Sequence, residues 1–107
     1  MITVTEQLTK EIAKLSHKYI TSNPSMTPDD IFHLMIDETG IADDEDMAIR
    51  WYSNTPEAAP LADAVKEFYG DFNLGYDPLM ATFHVFLSWI FNFAYEAIQG
   101  QQKGKQL

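Results

Sequence analysis

The chain has no cysteine. Disulfides, thiolate metal sites and cysteine nucleophiles are therefore excluded together. Cations are the second scarcity. From Tyr19 to Ile49 there are eight acids and no lysine or arginine, and across residues 19–99 fourteen acids face only Arg50 and Lys66. The other positive charges, Lys10, Lys14, Lys18, Lys103 and Lys105, stand near the two ends, and the net charge is −9. Such a surface repels phosphate backbones and anionic lipid, so direct binding to nucleic acid or to a membrane is not expected, whereas a basic partner would be attracted. Alternation of apolar and polar residues is also missing: only Ile2–Thr5 alternates, too briefly for a strand. The opening Met-Ile-Thr-Val-Thr-Glu-Gln lacks a basic region followed by an apolar run. No secretory signal is read there, and the expected location is the cytoplasm.

What is present suffices for a folded domain. Apolar residues make up 46% of 107, enough for one core and too short a chain for two. Residues 1–100 read as a single helical domain, with 101–107 as a polar, disordered tail.

Five helices follow from periodicity and punctuation. Thr3 and Glu6 form a capping-box pattern, and Leu8, Ile12, Leu15 and Tyr19 share one face of a helix from Val4 to Ile20, which Asn23-Pro24 ends. Thr27-Pro28-Asp29-Asp30 opens a second helix with a cap, a proline in the first position and two carboxylates at the positive end of the dipole. Ile31, Leu34 and Met35 are its expected buried face and Gly40 its stop. A third helix is read from about Asp43 to Tyr52, with Met47, Arg50 and Trp51 on one side. A fourth runs from Pro56 or Pro60 to Tyr69, with Leu61, Val65 and Phe68 inward. The fifth spans 77–99, with Asp77 as cap, Pro78 in the first position and Gly100 as stop. The fold class is all-α: a compact bundle whose long apolar C-terminal helix lies at the core or at a dimer interface.

Asp29, Asp30, Asp37, Glu38, Asp43, Asp44, Glu45 and Asp46 make the acidic cluster. Helix N-termini account for about half of them, each favoured by about 0.3–1 kcal/mol. They do not account for the missing cations, since mixed signs are the commoner surface of a small domain. An anionic docking surface for a basic protein, or an imitation of nucleic-acid phosphate, explains both. A calcium loop does not fit: counting from Asp44, the acids at positions 1 and 3 are followed by Ala48 and Ile49 where a third acid and a glycine are needed. His33 and Asp37 stand four apart on one helix, but zinc takes three or four ligands, and His17 and His84 complete no HExxH pattern. No metal and no cofactor is read.

The fifth helix is apolar almost all round. His84, Ser88, Asn92 and Glu96 recur every fourth residue as one narrow polar stripe. Its apolar length would suffice for a membrane span, but His84, Asn92 and Glu96 would be costly in lipid. Burial by the other helices, completed by a second copy, is the expected solution. Phe83, Phe86, Leu87, Ile90, Phe91 and Phe93 are the candidate homodimer surface. The stripe does not read as an active site, because catalysis needs groups converging from several elements and Ser88 lacks a nucleophile-elbow pattern. Tyr69, Phe72 and Tyr76, beside Asp71 and Asp77, are a further aromatic patch suited to an interface.

In charge and helicity the chain resembles, at the level of class alone, small acidic helical proteins of phages and mobile elements, some of which imitate phosphate arrays, and immunity proteins of the colicin type. That resemblance implies a regulator or inhibitor and assigns no residue a role. The expected function is accordingly a non-catalytic binding protein that engages a basic partner through the acidic cluster. The alternative is an assembly subunit that acts through its apolar C-terminal helix.

Overall fold

Three helices open at a side-chain oxygen that accepts an otherwise free backbone N–H, which is the need every helix N-terminus creates. The computed structural model describes the backbone of residues 3–69 and 78–105 and the side chains of 3–67 and 79–100. Thr3 Oγ1 accepts from the Glu6 N–H at 3.0 Å and opens α1, Val4–Ser22. Thr27 Oγ1 accepts from the Asp30 N–H at 3.2 Å and opens α2, Pro28–Thr39. Asp44 Oδ1 accepts from the Met47 N–H at 3.0 Å and opens α3, Glu45–Asn54. A turn closed by the Ala58 N–H on the Thr55 carbonyl, 3.0 Å, leads into α4, Ala58–Tyr69. Pro60 thus falls in the first turn of α4, where a missing N–H removes no helical bond. The long α5 is Pro78–Lys105. Its expected cap, Asp77, lies outside the described residues, as do Asp71, Phe72 and Tyr76 and the side chains of Phe68 and Tyr69.

Several helix ends differ from the sequence reading: α1 runs to Ser22, α3 to Asn54 and α4 starts at Ala58, and two further differences have a local cause. Gly40 ends α2 as expected, with φ +66° and its N–H bonded to the Ile36 carbonyl at 2.9 Å. A single 3-10 turn, Ile41–Asp43, then intervenes, so α3 starts after Asp44 and not at Asp43. Asp44 is extended, at φ −83° and ψ 92°: a residue that caps with its side chain cannot itself be helical. At the other end, α5 does not stop before Gly100 but continues to Lys105. A helical glycine costs about 1 kcal/mol relative to alanine, and Gln99, Gln101, Gln102 and Lys103 are better helix formers that carry the turn across it.

The bundle is built around α5, which packs against α1, α2, α3, α4 and the 3-10 turn, most extensively against α1. From α1 come Leu8, Ile12 and Ile20; from α2, Ile31, Phe32 and Met35; from α3, Ala48 and Trp51; from α5, Phe83, Leu87, Ile90, Phe91 and Ile98. Full burial of a side chain of this size is worth about 1.5–3 kcal/mol. Ser16 falls within the α1 row and is wholly buried, its hydroxyl donating to the Ile12 carbonyl at 2.8 Å. The faces differ in detail from the sequence reading: on α2 Leu34 is only half-buried while Phe32 is buried, and on α3 Ala48 and Trp51 are buried while Arg50 is exposed. Among the described residues there is no strand, and no helix is long and apolar enough to cross a membrane. The chain is an all-α bundle.

Candidate functional site

All eight carboxylates of the acidic cluster are exposed. Asp29 and Asp30 stand in the first turn of α2 and Asp37 and Glu38 in its last turns. Asp30 and Asp37, seven residues apart, return to nearly the same side of the helix, about 10 Å apart along its axis at 1.5 Å per residue. Asp43 closes the 3-10 turn, and Asp44, Glu45 and Asp46 surround the N-terminus of α3. Two of the eight are held by partners. Asp44 is the cap already described, and Glu38 Oε2 accepts from the Tyr19 hydroxyl at 2.6 Å. That hydrogen bond, helped by burial and by the Glu38 charge, raises the Tyr19 phenol above its ordinary value. None of the eight forms an ion pair among the described residues.

The histidines do not assemble with these acids into a ligand set. His33 Nδ1 lies 2.7 Å from the Asp29 carbonyl oxygen, which requires the proton on Nδ1. His84 on α5 meets the edge of Phe32 at 5.4 Å, and Phe32 also lies 6.2 Å from His33. Partial burial first, and the nearby His33 second, hold His84 below the usual imidazole value, with Asp43 opposing them.

The candidate homodimer residues on α5 fall into different environments. Phe83, Leu87, Ile90 and Phe91 are spent on the chain's own core, where they meet α1, α2 and α3. Phe86 is half-buried and stacks on Trp51. Only Phe93 stands clear, 74% exposed, and Trp89, four residues before it, is 50% exposed. The polar stripe is also wider than its sequence pattern. His84, Asn92 and Glu96 face solvent together with Trp89 and Phe93, while Ser88 bonds back to the Val85 carbonyl at 2.7 Å.

Beside this face lies a cavity of about 560 Å³ between the N-terminal turn of α1, the end of α3, the start of α4 and the middle of α5. Trp51, Pro60, Leu61, Phe86 and Trp89 supply apolar walls, and Glu57 is the charged residue among the described lining. At one end the hydroxyls of Thr5 and Thr55 are hydrogen-bonded at 2.5 Å, and Thr5 Oγ1 also donates to the Asn54 carbonyl at 3.1 Å. No sequence pattern marks this cavity, because its walls come from segments as far apart in the chain as Thr5 and Trp89. The tryptophans are its only legible hint: the chain has two and both line it.

Compared with family models, with curated proteins and with solved structures, the chain matches none.

Proposed function

We propose that the chain is a small, non-catalytic regulator or inhibitor that engages a basic protein partner through its acidic face. The observation that carries this reading is the exposure of all eight carboxylates over α2 and the start of α3, with no lysine or arginine between Tyr19 and Ile49 to neutralise them. Two acids contribute to the fold, Asp44 by capping and Glu38 by holding Tyr19. The other six carboxylates make no hydrogen bond or ion pair among the described residues, and of these only Asp43 acts on a titratable group of the chain, His84, so the array is available to steer an oppositely charged surface. An array spread along a helix suits a row of cations better than a single ligand, which accords with a nucleic-acid-binding protein as the partner class.

The test is a charge reversal that spares the cap: Asp43, Glu45 and Asp46 changed together to lysine. The variant is expected to melt within a few degrees of the parent, since dipole contacts at one helix end are worth about 0.3–1 kcal/mol each. Recovery of a co-purifying basic protein at low salt is expected to fall at least about tenfold, because attraction becomes repulsion. Recovery equal to the parent's at low salt refutes the reading.

A second reading, an assembly subunit acting through α5, is favoured by one observation: Trp89 and Phe93 are large, exposed and adjacent on the helix. It predicts that binding survives high salt and is lost in the Phe93→Ser variant, since apolar contacts are not screened. A homodimer through this face would appear in sedimentation as a mass near twice 12.2 kDa.

A further inference from the structure

We propose that the outer face of α3 is the contact surface for the basic partner, and that this partner presents an apolar patch beside its cations. On the acidic-face reading of the function, on which this rests, the carboxylates attract the partner; Ile49 and Tyr52 then hold it. Four large apolar side chains are exposed among the described residues: Ile49, Tyr52, Trp89 and Phe93. Two of them, Ile49 at 51% and Tyr52 at 39%, stand three residues apart on α3. Glu45 precedes Ile49 by four residues and Asp46 precedes it by three, so both carboxylates adjoin Ile49 on the helix surface. Both are exposed and make no hydrogen bond or ion pair among the described residues. The other side of α3 already holds the helix in the bundle through Ala48 and Trp51, and Ile49 and Tyr52 are not part of that core.

Local chemistry does not call for this pair. A β-branched isoleucine loses side-chain freedom in a helix, and glutamate, glutamine or lysine forms helix better at a solvent position. A half-exposed isoleucine therefore serves neither the helix nor solubility, whereas tyrosine is among the residues enriched in contact surfaces. The charges around the pair say what covers it. Two acids adjoin Ile49, Asp43 and Asp44 precede them in the chain, and no lysine or arginine occurs between Tyr19 and Ile49. Repulsion between two chains of net charge −9 disfavours a second copy as the occupant. A bare polycation would be met by the acids alone and would gain nothing from Ile49 and Tyr52. A protein surface with leucine or isoleucine between its lysines would meet both. Arg50, four residues after Asp46, is exposed and in no ion pair among the described residues. It changes the sign of charge along the face, which fixes a register for the partner.

The experiment titrates the isotopically labelled full chain with two synthetic helical peptides of equal length and equal lysine content. One carries a stripe of leucine between its lysines, and the other has glutamine in place of the leucine. At low salt the leucine-striped peptide is expected to bind at least about tenfold more tightly, with its largest amide shifts between Glu45 and Ser53. That advantage should persist at about 0.3 M salt, where the purely ionic part of binding fades. Ile49→Gln and Tyr52→Gln together should remove the advantage, leave the affinity for the glutamine peptide within about twofold, and melt within a few degrees of the parent. Glu45→Gln and Asp46→Gln together, which spare the Asp44 cap, should weaken both peptides about three- to tenfold at low salt. If the glutamine peptide binds and leucine adds nothing, or if the shifts caused by leucine fall on Trp89 and Phe93, the α3 contact is refuted and the acidic face stands. If neither peptide binds at low salt, both are refuted.

Discussion

The Trp51 indole on α3 and the Phe86 ring on α5 are stacked, with centroids 4.7 Å apart and planes inclined by 26°. Phe83 meets the same indole at 5.6 Å. Trp51 thus joins the shortest of the five described α-helices to the central one, at the boundary between the core and the cavity. Trp51→Ala is expected to cost about 3–5 kcal/mol, the range for deleting a buried large aromatic. Trp51→Phe should cost less, under about 2 kcal/mol, because it keeps an aromatic contact and removes the unsatisfied N–H. Denaturant melts of both variants check the order. A phenylalanine variant as damaged as the alanine one would mean that the indole N–H is satisfied.

Two glycines should respond in opposite directions to the same substitution. Neither would bring a Cβ within 4 Å of another group, so sterics with neighbours do not decide the outcome. Gly40 has φ +66°, a conformation that costs an L-residue roughly 1–2 kcal/mol; Gly40→Ala should destabilise by about that amount. Gly100 lies within α5, where alanine is favoured over glycine by about 0.8–1 kcal/mol; Gly100→Ala should leave stability unchanged or raise it. Thermal melts of the pair provide the check, and a stabilising Gly40→Ala would contradict the left-handed cap.

Caps give a third prediction. Thr27→Ala and Asp44→Ala each remove the acceptor for a helix N-terminal N–H, at 3.2 and 3.0 Å, and each should cost about 1 kcal/mol. Asp44→Asn should recover most of the loss, since it keeps the acceptor. If Asp44→Asn and Asp44→Ala melt together, Asp44 acts through charge and not as a cap.

His84 makes stability depend on pH. Burial, then the neighbouring His33, lower its affinity for a proton in the folded state, against an ordinary value of 6.5. The unfolded chain therefore takes up a proton first as pH falls. This contribution is fully present above the ordinary imidazole range, declines as pH drops through it, and levels off below the depressed folded value. Between about pH 7.5 and about pH 5 the parent should lose more melting temperature than His84→Gln. Parallel curves would show that His84 is equally basic in both states.

Much of the bundle is legible in the sequence because helix starts are local chemistry. Thr3, Thr27 and Pro28 announce α1 and α2, and the left-handed requirement at the end of α2 selects Gly40. Local signals misplace the start of α3 because Asp43 and Asp44 are equally good caps in sequence; in the fold Asp43 belongs to the 3-10 turn that follows Gly40, whose first residue, Ile41, is buried, and Asp44 is the cap. At Gly100 a local stop signal is overridden by the helix formers on either side of it.

The sequence by itself determined the all-α class, the four- and three-residue spacing of the apolar rows, and the charge asymmetry, since each depends only on residue type and separation. Tertiary structure decided which apolar residues remain available. Periodicity places Phe83, Phe86, Leu87, Ile90, Phe91 and Phe93 together on one apolar helix, but cannot say which sides α1, α2, α3 and α4 cover. Packing buries Phe83, Leu87, Ile90 and Phe91 and leaves Trp89 and Phe93 in solvent. The cavity likewise exists only because Thr5, the Trp51–Leu61 region and the Phe86–Trp89 turn meet in space. Helical periodicity is a property of one segment, whereas burial is a property of what surrounds it.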